Sequence, residues 1–137
     1  MIDRLEFEIS LKSPIQFWGN MSKANVNRLL GPEVAQMIKY NQNNPHHCYD
    51  LFLHTLHTVE NLGNNASDTL RIAAFFHDIG KPFVATQKHN KTVFYGHANK
   101  SAEIAHQLLL QMGLCPRLSE SVFHQASRRF YIMGAPF

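Results

Sequence analysis

Cysteine is nearly absent from these 137 residues: Cys48 and Cys115 stand alone. Two cysteines so far apart make neither a disulfide framework nor a paired-cysteine zinc site, and each reads as a small buried hydrophobe. No apolar run approaches the roughly 18 residues that a membrane-spanning helix needs. The opening Met1-Ile2-Asp3-Arg4-Leu5-Glu6 lacks the basic-then-apolar order of a signal peptide, so cytoplasmic residence without a membrane partner is the expectation. Internal repeats and low-complexity tracts are missing too. The net charge of +3 is mild, and no dense basic run demands nucleic acid. With 45% hydrophobic and 17% charged residues the balance is that of an ordinary globular chain. Its length predicts a single domain over 1–137.

Histidine, by contrast, is plentiful, with nine residues unevenly spread. Neutral imidazole is the commonest transition-metal side chain, which raises a metal hypothesis for some of the nine and leaves surface or core positions for the rest.

The periodicity predicts an all-α chain of about six helices with short connections and no sheet. Asp3 to Lys12 reads as a helix, Pro14 to Gly19 as a turn, and Ser22 as the cap of a helix ending at Gly31. Pro32 opens the next helix, to about Tyr40. After the polar loop Asn41–Pro45, Phe52, Leu53, Leu56, Val59 and Leu62 recur at helical spacing from about His47. Ser67 or Asp68 caps a further helix, stopped by Gly80 and Pro82. Lys88 to Tyr95 reads as a loop with at most a short extended piece. Helices over about Ala98–Met112 and Arg117–Phe130 complete the chain.

Chemistry concentrates at His77-Asp78, which follow the apolar run Ile72-Ala73-Ala74-Phe75-Phe76. A carboxylate on so apolar a segment is costly to bury unless it is paired or holds a metal. The carbonyl end of a helix also favours a cation. A plain helix C-cap ahead of Gly80 explains the pair equally well. His54, mid-helix with Asp50 and Thr58 one turn away on its face, tips the balance. A ligand set of two imidazoles and one carboxylate leaves positions for water and substrate.

Three segments carry a resemblance: Pro45-His46-His47-Cys48-Tyr49-Asp50-Leu51-Phe52-Leu53-His54-Thr55-Leu56, then Phe76-His77-Asp78-Ile79-Gly80-Lys81-Pro82, then Phe94-Tyr95-Gly96-His97-Ala98. In order and spacing they resemble the HD superfamily of phosphohydrolases over roughly residues 40 to 125. The look is nearest to the HD domains of bacterial tRNA nucleotidyltransferases. The resemblance implies an HD-domain helical bundle around a divalent metal, with manganese, iron, nickel, cobalt, zinc and magnesium all admissible. It implies His54, His77 and Asp78 as metal ligands. His97 matches a histidine that binds phosphate or a second metal, and Lys81 a phosphate-contacting lysine. It further implies hydrolysis of a phosphomonoester or phosphodiester, on a nucleotide or RNA end, by a metal-activated water.

In one respect the chain departs from that pattern. Family members carry a late aspartate ligand, whereas no aspartate follows Asp78 here, and Gln125 stands where the acid is expected. His124 or Glu120 is the candidate substitute. The alternative is a degenerate HD domain that binds a nucleotide or RNA without cleaving it. His46 and His47 are candidates for the pocket mouth, while His57, His89 and His106 read as solvated or structural. Lys81, Lys88, Lys91 and Lys100 cluster around the motifs, as a phosphate-attracting set or simply a wet surface.

Overall fold

The computed structural model describes residues 1–42 and 49–113. Within them lie eight helices and one hairpin: α1 Arg4–Ser10, α2 Pro14–Trp18, α3 Lys23–Leu30, α4 Pro32–Ala35, α5 Leu51–Glu60, α6 Asp68–Phe76, α7 Lys81–Val84, β1 Thr86–Lys88, β2 Lys91–Val93 and α8 His97–Gln111. None of these helices is long and apolar enough to cross a membrane.

Helix starts follow local chemistry. Asp3, Ser22, Asp50 and Ser67 each accept, through the side chain, the backbone N–H three residues on, satisfying a donor that has no partner inside the helix. Pro14, Pro32 and Pro82 sit in first turns, where a missing N–H costs nothing.

The core is aromatic. Phe7 packs edge-on to Phe75 at 5.2 Å between ring centroids, and Phe52 meets Phe75 at 6.4 Å. Those contacts tie α1 and α5 to α6 and fix the helix that ends at His77. Trp18 is fully buried and donates through Nε1 to Ser10 Oγ at 2.8 Å, which closes α2 over α1.

Four expectations need correction. Pro14 to Gly19 is helix α2 rather than a turn, because Pro14 starts it and Trp18 must reach the core. The helix from Pro32 stops at Ala35 and continues as turns to Lys39, whose positive φ of 63° ends it. The helix expected from His47 is described only from Tyr49 onward and begins at Leu51. There Asp50 adopts an extended backbone and caps it, so Asp50 is not on the helical face of His54. A two-stranded antiparallel hairpin exists where no sheet was expected. Its register pairs Thr86 with Val93, Gln87 with Thr92 and Lys88 with Lys91. The two connecting residues, His89 and Asn90, both have positive φ, the geometry whose twist matches a hairpin. The helix expected over Arg117–Phe130 lies outside the described residues.

Candidate metal centre

Asp78 is the hub. It follows α6 in the turn His77–Gly80, with no exposed surface of its own. Around its carboxylate stand His77 Nε2 at 3.1 Å from Oδ2, Lys81 Nζ at 3.4 Å from Oδ2 and His54 Nε2 at 3.7 Å from Oδ2, with His97 Nε2 at 3.4 Å from Oδ1. These residues come from the C-terminal end of α6, the start of α7, the middle of α5 and the first turn of α8.

Two close approaches hold the set together. A Cβ on Gly80 would lie 2.5 Å from Ser101 N and 2.8 Å from His97 O, so only glycine lets the doublet's turn meet α8. Gly80 N donates to Ser101 Oγ across the same contact. Gly96 takes φ of 77° just before α8, a value that suits glycine, and turns the chain so that His97 points back to Asp78.

The imidazoles are oriented from behind. His77 Nδ1 lies 2.5 Å from Ala74 O and His97 Nδ1 lies 3.1 Å from Phe94 O. A carbonyl can only accept, so in both rings Nδ1 carries the proton. Nε2 of each neutral ring is then an acceptor, and it faces carboxylate oxygens that are acceptors as well. Something positive must sit among them: a proton or a cation. Both Asp78 oxygens are buried without a hydrogen bond among the described residues. The separations of 3.1–3.7 Å exceed the roughly 2.7–2.9 Å of a good charge-assisted hydrogen bond. They suit ligands of one ion, since donors about 2.0–2.2 Å from a metal stand roughly 3 Å or slightly more from each other. His54, His77 and Asp78 offer ligand atoms all within 4.8 Å of one another. The nitrogen and oxygen donor set therefore fits a divalent metal.

Electrostatics agree. Burial alone would raise the Asp78 carboxyl, but His77, His97 and Lys81 outweigh it and hold it well below the usual carboxylate range. Burial pulls the His77 imidazole down, and the adjacent Asp78 more than restores it, so it lies above its ordinary value. Burial lowers the Lys81 ammonium, with Asp78 opposing.

Lys81 is entirely buried rather than displayed at a surface. Its ammonium pairs with Asp78 Oδ2, donates to Gln42 Oε1 at 2.7 Å and lies 5.4 Å from the Phe94 ring centroid. Gln42 is the residue that sequence reading missed. It stands in Asn41-Gln42-Asn43-Asn44, a run indistinguishable from a solvated loop, and no sequence signal marks it. The expected orienting partners of His54 are engaged elsewhere. Asp50 accepts from Leu53 N and Lys39 N, and Thr58 Oγ1 donates to the His54 carbonyl rather than the ring. His54 and His97 keep 12% and 13% of their side chains exposed, against 1% for His77 and none for Asp78. His54 on α5 and His97 on α8 are therefore the members of the set nearest to solvent. His46, His47, Glu120, His124 and Gln125 lie outside the described residues.

The HD domain model matches residues 45–134, about two thirds of the chain. The chain belongs to the HD domain family. The all-α architecture is that of an HD domain, and His77-Asp78 lies within the matched residues. HD domains bind divalent metals and belong to a superfamily of metal-dependent phosphohydrolases, which is the chemistry that this donor set fits. No curated protein and no solved structure matches the chain significantly.

Proposed function

We propose that this HD domain is a metal-dependent phosphohydrolase acting in the cytoplasm on a phosphomonoester or phosphodiester, at the end of a nucleotide or RNA. The look of its motifs, nearest to the HD domains of bacterial tRNA nucleotidyltransferases, supports the choice of an RNA-related ester. One observation carries the reading: a fully buried carboxylate, Asp78, faced by imidazole Nε2 atoms whose Nδ1 protons are tied to backbone carbonyls.

His54, His77 and Asp78 would hold the ion. Bound there, a divalent cation supplies Lewis-acid chemistry, acidifying a water nucleophile and offsetting phosphoryl charge. His97, at the partly exposed edge of the site, is placed to orient a phosphoryl oxygen or to complete the ligand set. Lys81 meets a phosphate only from inside the site, because its ammonium shares Asp78 Oδ2 with His77. His124 is the candidate for the ligand position that the late aspartate fills in the family.

Lack of an aspartate after Asp78 favours a second reading, in which the domain binds a nucleotide or RNA end without cleaving it. Elemental analysis of untagged protein, with hydrolysis of generic phosphomonoesters and cyclic nucleotides in added Mn²⁺, separates the two. Near-stoichiometric metal and turnover, both lost in Asp78→Ala and His54→Ala, support the hydrolase. Metal without turnover supports the binding module, and no metal after reconstitution rejects both metal-based roles.

A further inference from the structure

All of the net positive charge of the chain comes from one stretch. Between Asp78 and Glu103 there are four lysines and no carboxylate, while elsewhere nine basic residues face ten acidic ones. Lys81 is buried in the metal centre. Lys100 reaches Glu103 at 3.8 Å. Lys88 and Lys91 remain, and the fold puts them on the exposed hairpin.

Their placement there is unfavourable by itself. Lys88 and Lys91 are direct cross-strand partners, and opposed residues of an antiparallel pair project from the same face. Like charges so paired destabilise a hairpin, and a two-stranded ribbon has little stability to spare. The opposite face is marked by Gln87, whose Nε2 donates to Thr92 Oγ1 at 2.9 Å. Tyr95 follows on the lysine face: the residue is 69% exposed and the Lys88 ammonium stands 5.5 Å from its ring centroid. Phe83, just before β1, is also exposed, with Lys100 Nζ 5.8 Å from its ring. Immediately before Tyr95, Phe94 runs into the metal centre, its carbonyl accepting from His97 and its ring beside Lys81.

We propose that the hairpin face of Lys88, Lys91 and Tyr95, together with the exposed Phe83 that precedes β1, is a track for single-stranded nucleic acid that leads a strand end to Asp78. Phosphates relieve the lysine pair, and bases stack on rings that the fold leaves uncovered, the two elements of sequence-tolerant strand binding. An acidic peptide would meet the lysines and leave both rings without a purpose. The proposal names the substrate class of the phosphohydrolase above and rests on that reading for the fate of the strand, but not for its binding.

The test is fluorescence anisotropy of a short, mixed-sequence, fluorescein-labelled single-stranded RNA over a salt series, in chelator so that no hydrolysis intervenes. Affinity is expected to fall linearly with salt on logarithmic axes, with the slope shallower by about 1.4 in the Lys88→Ala, Lys91→Ala double variant. Tyr95→Ala should weaken binding about 5- to 150-fold, as the loss of one stacked base does, whereas Tyr95→Phe should restore it. Neither Tyr95 variant should change Mn²⁺-dependent turnover of a generic small phosphodiester. Equal binding by Tyr95→Ala, or polyglutamate or anionic vesicles binding in place of the RNA, overturns the proposal. RNA binding without turnover of any ester leaves the track standing and sinks the hydrolase; turnover without RNA binding does the reverse.

Discussion

Lys81→Met removes the buried ammonium while keeping a straight side chain of similar reach. In the metal-free protein the Asp78 carboxylate, with no exposed surface, then keeps only imidazoles for company. Removing one partner of a buried ion pair costs about 3–5 kcal/mol. Here the loss should fall at the low end of that range, at ~3 kcal/mol. His77 and His97 still face the carboxylate at 3.1 and 3.4 Å, and the cost of burying an ammonium is relieved, while Gln42 Oε1 loses its donor. Metal binding should respond in the opposite direction. Lys81 Nζ is 3.4 Å from Asp78 Oδ2, so the ammonium competes with any cation for the same oxygen. Two unit charges 4 Å apart interact by roughly 4 kcal/mol at an effective dielectric near 20. If even a third of that repulsion is lifted, divalent affinity rises about tenfold, or ~1.4 kcal/mol.

Urea unfolding of wild type and Lys81→Met, in chelator and at saturating Mn²⁺, with calorimetric titration of the metal, measures both effects. At one fixed free Mn²⁺ concentration well above either dissociation constant, a tenfold tighter site returns ~1.4 kcal/mol of the deficit. The gap between the two proteins should therefore narrow by that amount. A metal-free variant within about 0.5 kcal/mol of wild type, the usual range for surface substitutions, would refute the buried pair. Unchanged or weaker metal affinity would refute the competition for Oδ2.

Gly80→Ala forces a Cβ to within 3 Å of three backbone atoms of α8. It should cost ~1–3 kcal/mol by overpacking and, by moving His97 away from Asp78, should weaken Mn²⁺ affinity in calorimetry; an unchanged affinity would show that His97 plays no part. The pH profile of stability follows from His77. Its folded value lies above 6.5, so its contribution is complete below 6.5 and is lost as pH rises through the folded value. Asp78, shifted downward, keeps its contribution above 3.8 and surrenders it only in strong acid. Chelator-treated protein should therefore lose urea stability as pH rises above 6.5. His77→Gln and saturating Mn²⁺ should each flatten that limb, the latter because the ion replaces the proton. A flat profile in chelator would contradict the raised imidazole.

His54, His77 and Asp78 were legible because each is chemically out of place where it stands, whereas His97 came only from the HD resemblance. An ionisable doublet after five apolar residues, and a histidine between core leucines of a helix, are departures from periodicity that local sequence displays. The structure brings the three histidines around the Asp78 carboxylate. Positions that depend on the path of the chain were not legible. Asp50 has the spacing of a helical neighbour of His54, but a carboxylate just before a helix also fits the cap, and capping two backbone donors won. The hairpin was missed because Lys88, His89, Asn90 and Lys91 carry no glycine to announce a tight turn. His89 and Asn90 nonetheless take the positive φ values that the two-residue connection needs.

Gln42 and Lys81 show a deeper reason for the gap. Thirty-nine residues separate them, yet their 2.7 Å bond is buried, and no periodicity couples positions so far apart. The phosphate-contacting role of Lys81 came from the HD resemblance, and its partner Gln42 was not visible in the sequence. Burial adds a second role: the ammonium, between Asp78 Oδ2 and Gln42 Oε1, supplies charge to the carboxylate whether or not an ion is bound. His77, with Nδ1 anchored on a carbonyl, presents Nε2 to the place where a proton or a metal would sit. His77 foremost, with Lys81 contributing, holds the Asp78 carboxyl below the usual carboxylate range. The site is therefore expected to keep a charged carboxylate before an ion binds, with the ammonium as that ion's competitor for Oδ2.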